Sequence, residues 1–447
     1  MSDTRSAEIN APGRHRVCYI PEQIDKAALT SPPTARNTPI ALVWRDLRTL
    51  FAVLPFLPKL LQPLSTGKSS DELSLTVRNP INLIVLVIVS CVELLIFGAI
   101  GLSCVALPGL LNVLVSVLLL AVIWLMCAPL RGSSVVYSKP EGDQIINALK
   151  RKDERWVFVN GILQSHYGLR QNCDRLARIF GRVIVGIHNP TYGLIGDLLE
   201  CIIQRSFSYN NYIIRFTYDH VKAYLVNPNV HKVVLIGHSQ GAIIISMVLD
   251  LLFTDLPAEN MAKLEVYTFG SAASHFNNPL RAIDPDSKSP RTGVIRYIEH
   301  YVNGDDPVPR WGILYNVRRM LKNRFAGKVF IRMNTSGHMF NQHYLDFMFP
   351  LPEDRHGDDE PGFLDQIVEI DEKTPNARDQ FVHKALNVPP KAPSAEDERC
   401  LSINEDMTSS DITSVKTVRE LSRLWRYMEG NSPDDDDHVS VDGLSLN

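Results

Sequence analysis

Residues 232–252 read KVVLIGHSQGAIIISMVLDLL. An apolar, Val-rich run enters the pattern Gly237-His238-Ser239-Gln240-Gly241, and an apolar helix-like run leaves it. As a bare pattern G-x-S-x-G is weak: with Gly at about 7% of residues and Ser at a similar share, chance supplies it in roughly one chain of this length in seven. The strand–turn–helix setting carries the meaning. A nucleophile elbow needs a sharp turn that lifts a serine hydroxyl over the carboxyl ends of parallel strands. The flanking glycines leave room where the backbone turns and helix and strand approach closely. Ser239 is the candidate nucleophile.

Outward from this stretch, strand-like segments alternate with helix-like ones. WVFVN (156–160), RVIVGIHN (182–189), KLEVYTFGS (263–271), GVIRYIEHYVNGD (293–305) and GKVFIRMN (327–334) are rich in β-branched and aromatic residues. Helix-like stretches fall at 169–180, 193–205 and 240–254. Such alternation predicts an α/β fold with a doubly wound, mostly parallel sheet, here assigned to residues 150–352.

A serine hydroxyl is a poor nucleophile without a positioned base and an orienting acid. In folds with this elbow the chain order is Ser, then Asp or Glu, then His. Asp306 of Asn303-Gly304-Asp305-Asp306-Pro307-Val308-Pro309 is the candidate acid in preference to Asp305, because the following proline restricts it to extended backbone. Two histidines follow the last strand. His338 reads as a loop residue and is the favoured base; His343, in the helix-like NQHYLDFMF, is the alternative. An acyl-transfer site also needs preorganised N–H donors for an oxyanion. The backbone N–H of Gln240, just after the nucleophile, is one candidate. The N–H of Ile162, in the Asn160-Gly161-Ile162 loop, is the other, although a simple Asn-Gly turn reads almost as well there.

GHSQG after an apolar strand, then NGDDPVPR, then GHMFNQHYL resembles the lipase class 3 and related lipase-like serine hydrolases of the α/β-hydrolase superfamily over roughly residues 155–350. The resemblance implies an α/β-hydrolase fold and supports Asp306, since Asp-Pro-Val-Pro recurs in that group at the triad acid. It leaves His338 and His343 open, because Tyr344 and Phe347 let either match.

The N-terminal part has a different character. From Ile81 to Leu107 the only Asp, Glu, Lys, Arg or His is Glu93, and Leu110 to Leu130 has none. Each half is long enough for a membrane helix, and Pro108-Gly109 suits a tight turn. Residues 80–131 therefore read as a two-helix transmembrane hairpin, spanning the bilayer or entering one leaflet. Lys59, Lys68, Arg78, Arg131 and Lys139 flank it, which predicts a cytosolic catalytic domain and cytosolic chain ends. Glu93 near mid-membrane calls for a partner or protonation. Residues 39–79, with prolines at 55, 58 and 63, read as a juxtamembrane segment lying on the membrane or packed on the core.

Residues 1–38 carry no apolar core of signal-peptide length and are expected to be disordered. Residues 353–447 read as a mostly disordered acidic tail. Within it Val415, Val418, Leu421, Leu424 and Met428 recur at helical spacing over 414–429, an amphipathic basic helix for a membrane or for docking on the core.

A net charge of −3 over 447 residues offers no electrostatic footprint for nucleic acid. The seven cysteines are scattered without CxxC pairing, and no ligand cluster has metal spacing. No metal or organic cofactor is expected. The predicted partners are a membrane and a lipid or other acyl-ester substrate. Alternatives are an acyl-protein thioesterase, a peptidase-like hydrolase, or a non-catalytic lipase-like membrane adaptor.

Overall fold

The computed structural model describes residues 17–22, 38–66, 72–73, 78–139, 150–281, 292–317, 325–351, 362–370 and 416–434. Its strands are β1 (Val17–Ile20), β2 (Val135–Tyr137), β3 (Glu154–Val159), β4 (Ile184–Ile187), β5 (Lys232–His238), β6 (Leu264–Phe269), β7 (Tyr297–Asn303), β8 (Lys328–Arg332) and β9 (Val368–Ile370). They form one sheet in the order β2-β4-β3-β5-β6-β7-β8-β1-β9. The ladder is parallel from β4 to β8, with β2 antiparallel to β4 and β1 antiparallel to β8.

The principal helices are α1 (Pro39–Val53), α2 (Arg78–Ala106), α3 (Gly109–Met126), α4 (His166–Phe180), α5 (Leu194–Phe207), α6 (Tyr212–Val226), α7 (Gln240–Asp255) and the short α8 (Pro307–Trp311). Helices α5, α6 and α7 cover one face of the sheet through Ile202, Ile214 and Ile244, packed with Val233 and Leu235 of β5. Helix α4 covers the other face through Leu169 and Leu176, against Val234 and Ile236. Coverage on both faces is why β5 is an unbroken apolar run rather than an alternating one. Ser165 caps α4 by accepting the Gly168 N–H, and Gly181 closes that helix in the left-handed region.

The expected six-strand parallel core is present, but the sheet reaches beyond residues 150–352. Val17–Ile20, expected to be disordered, forms β1 between β8 and β9, with Tyr19 paired to Phe330. The rest of the 1–38 assignment, apart from residues 21, 22 and 38, lies outside the described residues. Residues 362–370 and 416–434 likewise depart from a disordered tail, and no continuous helix runs over the described part of 414–429. A short turn at Val418–Leu421 ends at Ser422, which is extended, and a 3-10 segment follows at Leu424–Gly430. The break has a physical cause. Ser422 Oγ bonds the Tyr301 hydroxyl and the Glu299 carboxylate, while Arg423 reaches Glu265 at 3.0 Å. Val418, Leu424 and Tyr427 are buried on the sheet domain, Tyr427 edge-on to Trp156.

Helices α2 and α3 form an antiparallel hairpin closed by Val89, Ile96, Ile123 and Cys127. Ile84–Ala106 and Gly109–Leu130 are each long and apolar enough to cross a membrane. Helix α1 ends where Pro55 and Pro58 begin, in a 3-10 run at Leu54–Leu60. One side of the segment from α1 to Leu60 packs on the core: buried Asp46 pairs with Arg205 of α5 at 2.9 and 3.0 Å. The other side leaves Ile40, Trp44, Phe51, Leu54 and Leu57 exposed.

Candidate active site

Ser239 stands between β5 and α7 with φ 55° and ψ −121°. Few non-glycine residues adopt a positive φ, and holding one there costs on the order of 1–3 kcal/mol. The neighbouring backbone fixes it: Ser239 N–H donates to the Phe269 carbonyl at 3.1 Å, and the Ser239 carbonyl accepts from Ala272 N–H at 3.2 Å. Two glycines make the turn possible. A Cβ on Gly241 would lie 2.1 Å from the Val159 carbonyl oxygen, so the helix can meet β3 only at a glycine. A Cβ on Gly161 would lie 2.5 Å from Ser239 Cβ. The Asn160–Ile162 loop thus rests directly against the candidate nucleophile.

His338 and Asp306 come together from the ends of β8 and β7. His338 Nδ1 is 2.6 Å from Asp306 Oδ2, which also accepts the Tyr344 hydroxyl at 2.7 Å. With Nδ1–H donating to the carboxylate, Nε2 is left as the proton acceptor. That Nε2 is buried and has no hydrogen-bond partner among the described residues. The imidazole rests on Gly270, the residue after the carbonyl that holds Ser239, and its ring centroid is 4.6 Å from that of His238. Burial holds His238 well below the usual histidine range, and its Nε2–H donates to the His338 carbonyl at 2.8 Å. The His338 ring therefore lies beside the residue that precedes Ser239, tilted by 34° against a neutral imidazole.

His343 lies in a π-helical turn, Phe340–Leu345, with both nitrogens engaged. Its Nδ1 accepts the Met339 N–H at 2.9 Å, and its Nε2–H donates to the Pro63 carbonyl at 2.8 Å. Asp305 faces away from His338: it bonds Lys59 and Arg310, each at 2.7 Å. The 3-10 run at Leu54–Leu60 binds the same loop, since Gly337 and His338 donate their N–H groups to the Lys59 and Leu60 carbonyls.

On the opposite side of Ser239, Gln240 begins α7, where backbone N–H groups lack a carbonyl one turn back. Its side chain is the middle link of a buried amide chain that no sequence motif marks. Asn160 accepts the Asn189 N–H at 2.7 Å, the Asn189 amide donates to Gln240 Oε1 at 2.6 Å, and the Gln240 amide reaches Glu200 and Gln204 of α5. Asp197, in the first turn of α5, accepts the Leu163 N–H at 2.9 Å and so braces the residue next to Ile162. Burial pushes Asp197 up to about 7 against the hydrogen bonds from Tyr192, Leu163 and Thr191, which act the other way. None of these groups carries a local motif, because each acts through a partner 29 or more residues away in sequence.

No family model and no curated protein sequence matches the chain, so the lipase class 3 likeness of its motifs finds no counterpart there. Among solved structures it is similar to a Trichoderma reesei cutinase bound to a phosphonate inhibitor, at 19% identity and a TM-score of 0.19. That match covers 29% of this chain and 60% of the cutinase, so the chain spans less than two thirds of that protein's length. A protein of Agrobacterium vitis S4 designated a hydrolase is similar at 12% identity and a TM-score of 0.24, over 50% of this chain and 91% of that one. The fold is defined by the strand order and the Ser239 turn.

Proposed function

We propose that the chain is a membrane-anchored serine hydrolase of the α/β-hydrolase type that cleaves carboxylic esters, with lipids as its substrate class. In this reading His338 Nε2 takes the Ser239 proton as Oγ attacks the acyl carbon. Asp306 orients the imidazole and stabilises its charged form. The N–H groups of Gln240 and Ile162 receive the oxyanion. Collapse of the tetrahedral intermediate breaks the ester bond, and His338 returns the proton to the departing alcohol. Water, activated by the same histidine, then hydrolyses acyl-Ser239. This sequence of steps calls on no metal or organic cofactor.

The observation that carries the reading is Ser239 itself: a serine at positive φ between a parallel strand and a helix, beside an Asp–His pair whose outer nitrogen has no partner among the described residues. The anchor is read from the apolar hairpin, and a cytosolic catalytic domain from the basic flanks. Lipid esters follow because the site and the hairpin share α5. A fluorophosphonate probe tests the chemistry. The wild-type chain should label and Ser239→Ala should not; equal labelling of the two removes Ser239 as nucleophile. Turnover of lipid esters against acyl-protein thioesters and peptides in vesicles then tests the substrate class.

A further inference from the structure

The carboxylate of Glu93, fully buried in α2, accepts the N–H groups of Ile195 at 2.9 Å and Gly196 at 2.7 Å, at the start of α5. A carboxylate suits a helix N-terminus, where N–H groups point outward unpaired. This contact fixes the depth at which the hairpin meets the catalytic domain. Asp197 and Glu200, in the first two turns of α5, bond the oxyanion-side loop and Gln240, so that end of α5 belongs to the polar site region. Glu93 also falls midway along the apolar stretch Ile84–Ala106. A hairpin crossing the bilayer would carry this part of the domain to the bilayer centre, where buried polar and charged groups are expensive.

Beyond Glu93, residues 94–106 provide about 20 Å of helix at 1.5 Å per residue, against a hydrocarbon core of about 30 Å. The returning helix from Gly109 to the level of Ile123 has the same reach. The tip is also unsuited to water on a far side. Val105 is 88% exposed, Leu110 78% and Leu102 70%, and the connection Ala106-Leu107-Pro108-Gly109 has no polar side chain. The polar groups nearest the tip turn inward, with Ser103 Oγ donating to Asn112 Oδ1 at 2.6 Å and the Asn112 amide reaching Cys104. A tip in hydrocarbon must satisfy its polar groups in this way.

We infer that the hairpin enters a single leaflet, with its turn in the hydrocarbon, and seats the oxyanion side of the active site on the surface of that leaflet. The inference rests on the membrane-anchored reading above. The near half of α2 keeps Ile84, Val87 and Ile88 exposed. They lie in the headgroup–acyl boundary, as an interfacial helix does. Exposed Trp44 of α1, with Arg48 against its ring, fits the same zone. A lipid ester then reaches Ser239 by rising from the leaflet rather than by crossing water.

A fluorescent amino acid placed at Leu107 of the full chain by amber suppression tests the depth. The protein is bound to phosphatidylcholine–phosphatidylserine vesicles that carry nitroxides near either the carbonyl or the methyl end of the acyl chains, or that enclose iodide. The expected result is a larger loss of fluorescence from methyl-end than from carbonyl-end nitroxides, and none from enclosed iodide. Quenching by enclosed iodide in protein that floats with the vesicles overturns the one-leaflet depth and leaves anchoring intact. Protein that fails to float with the vesicles overturns both.

Discussion

Asp306 Oδ2 lies 2.6 Å from His338 Nδ1, and the same oxygen takes the Tyr344 hydroxyl. His343 is tied instead to Met339 and Pro63. On the proposed mechanism His338→Ala should lose activity to the level of Ser239→Ala, a drop of roughly 10⁴-fold or more, because triad members act as a unit. His343→Ala should keep turnover well above that level and lose about 1–3 kcal/mol of stability, because the half-buried Met339 N–H loses its acceptor. Initial rates on a short-chain ester, with denaturation curves for both variants, separate the two; a dead His343→Ala beside an active His338→Ala would reverse the assignment.

The carboxylate of Asp306 should tolerate the loss of Tyr344's hydroxyl better than the loss of its own charge. Tyr344→Phe removes a hydrogen bond to the charged carboxylate, worth about 1.5–3 kcal/mol, and should slow turnover by roughly 10- to 100-fold. Asp306→Asn should cost several orders of magnitude through the wrong imidazole tautomer. Asp305→Asn should be mild, since that carboxylate bonds Lys59 and Arg310 rather than the histidine. A ranking with Asp305→Asn below Asp306→Asn in kcat would move the acid by one residue.

Stability should carry the mark of Asp197. Its folded value of about 7 stands above the unfolded value of about 3.9, so between the two the folded chain binds more protons. The stabilisation is present in full below about pH 4 and is lost as pH rises through about 7, a change on the order of 4 kcal/mol. Urea denaturation of wild type and Asp197→Asn across this window is the measurement. The variant should lack the descending slope; parallel curves would mean that Asp197 titrates normally.

Arg423 lies close to two buried carboxylates, donating its side-chain Nε–H to Glu265 and its backbone N–H to Glu299. Arg423→Ala should cost about 3 kcal/mol, because Glu265 is left in a buried site with less compensation. Removal of the chain from Lys416 onward should cost more, since it also uncovers Trp156. Equilibrium unfolding of the full chain and both variants checks this, and unchanged midpoints would mean that the C-terminal segment does not hold the sheet.

Glu93→Ala should loosen the hairpin from the domain. The Ile195 and Gly196 amides lose a charged acceptor, an effect of about 1.5–3 kcal/mol on their local opening. Hydrogen exchange in vesicle-bound protein should quicken at these two amides while those of β5 stay protected. Unaltered exchange at Ile195 and Gly196 would show that the carboxylate does not hold this end of α5.

The elements that sequence alone determined are those whose cause is local. The six central strands announce themselves as apolar runs because both sheet faces are covered. The Ser239 turn is written in five residues together with the apolar runs on either side, and Pro307 marks Asp306 from the adjacent position. Two apolar helices joined at Pro108-Gly109 follow from composition alone. Tertiary structure decided what depends on distant partners. Strands β1, β2 and β9 lie outside the run of alternating strand-like and helix-like segments, and they form because open sheet edges supply hydrogen bonds from far along the chain. Ser422 breaks a helical pattern because Tyr301 and Glu299 offer it better bonds. Which histidine faces Asp306 is likewise a matter of geometry. Two imidazoles five residues apart are chemically alike, and only packing brings one to the carboxylate while Pro63 and Met339 take up the other.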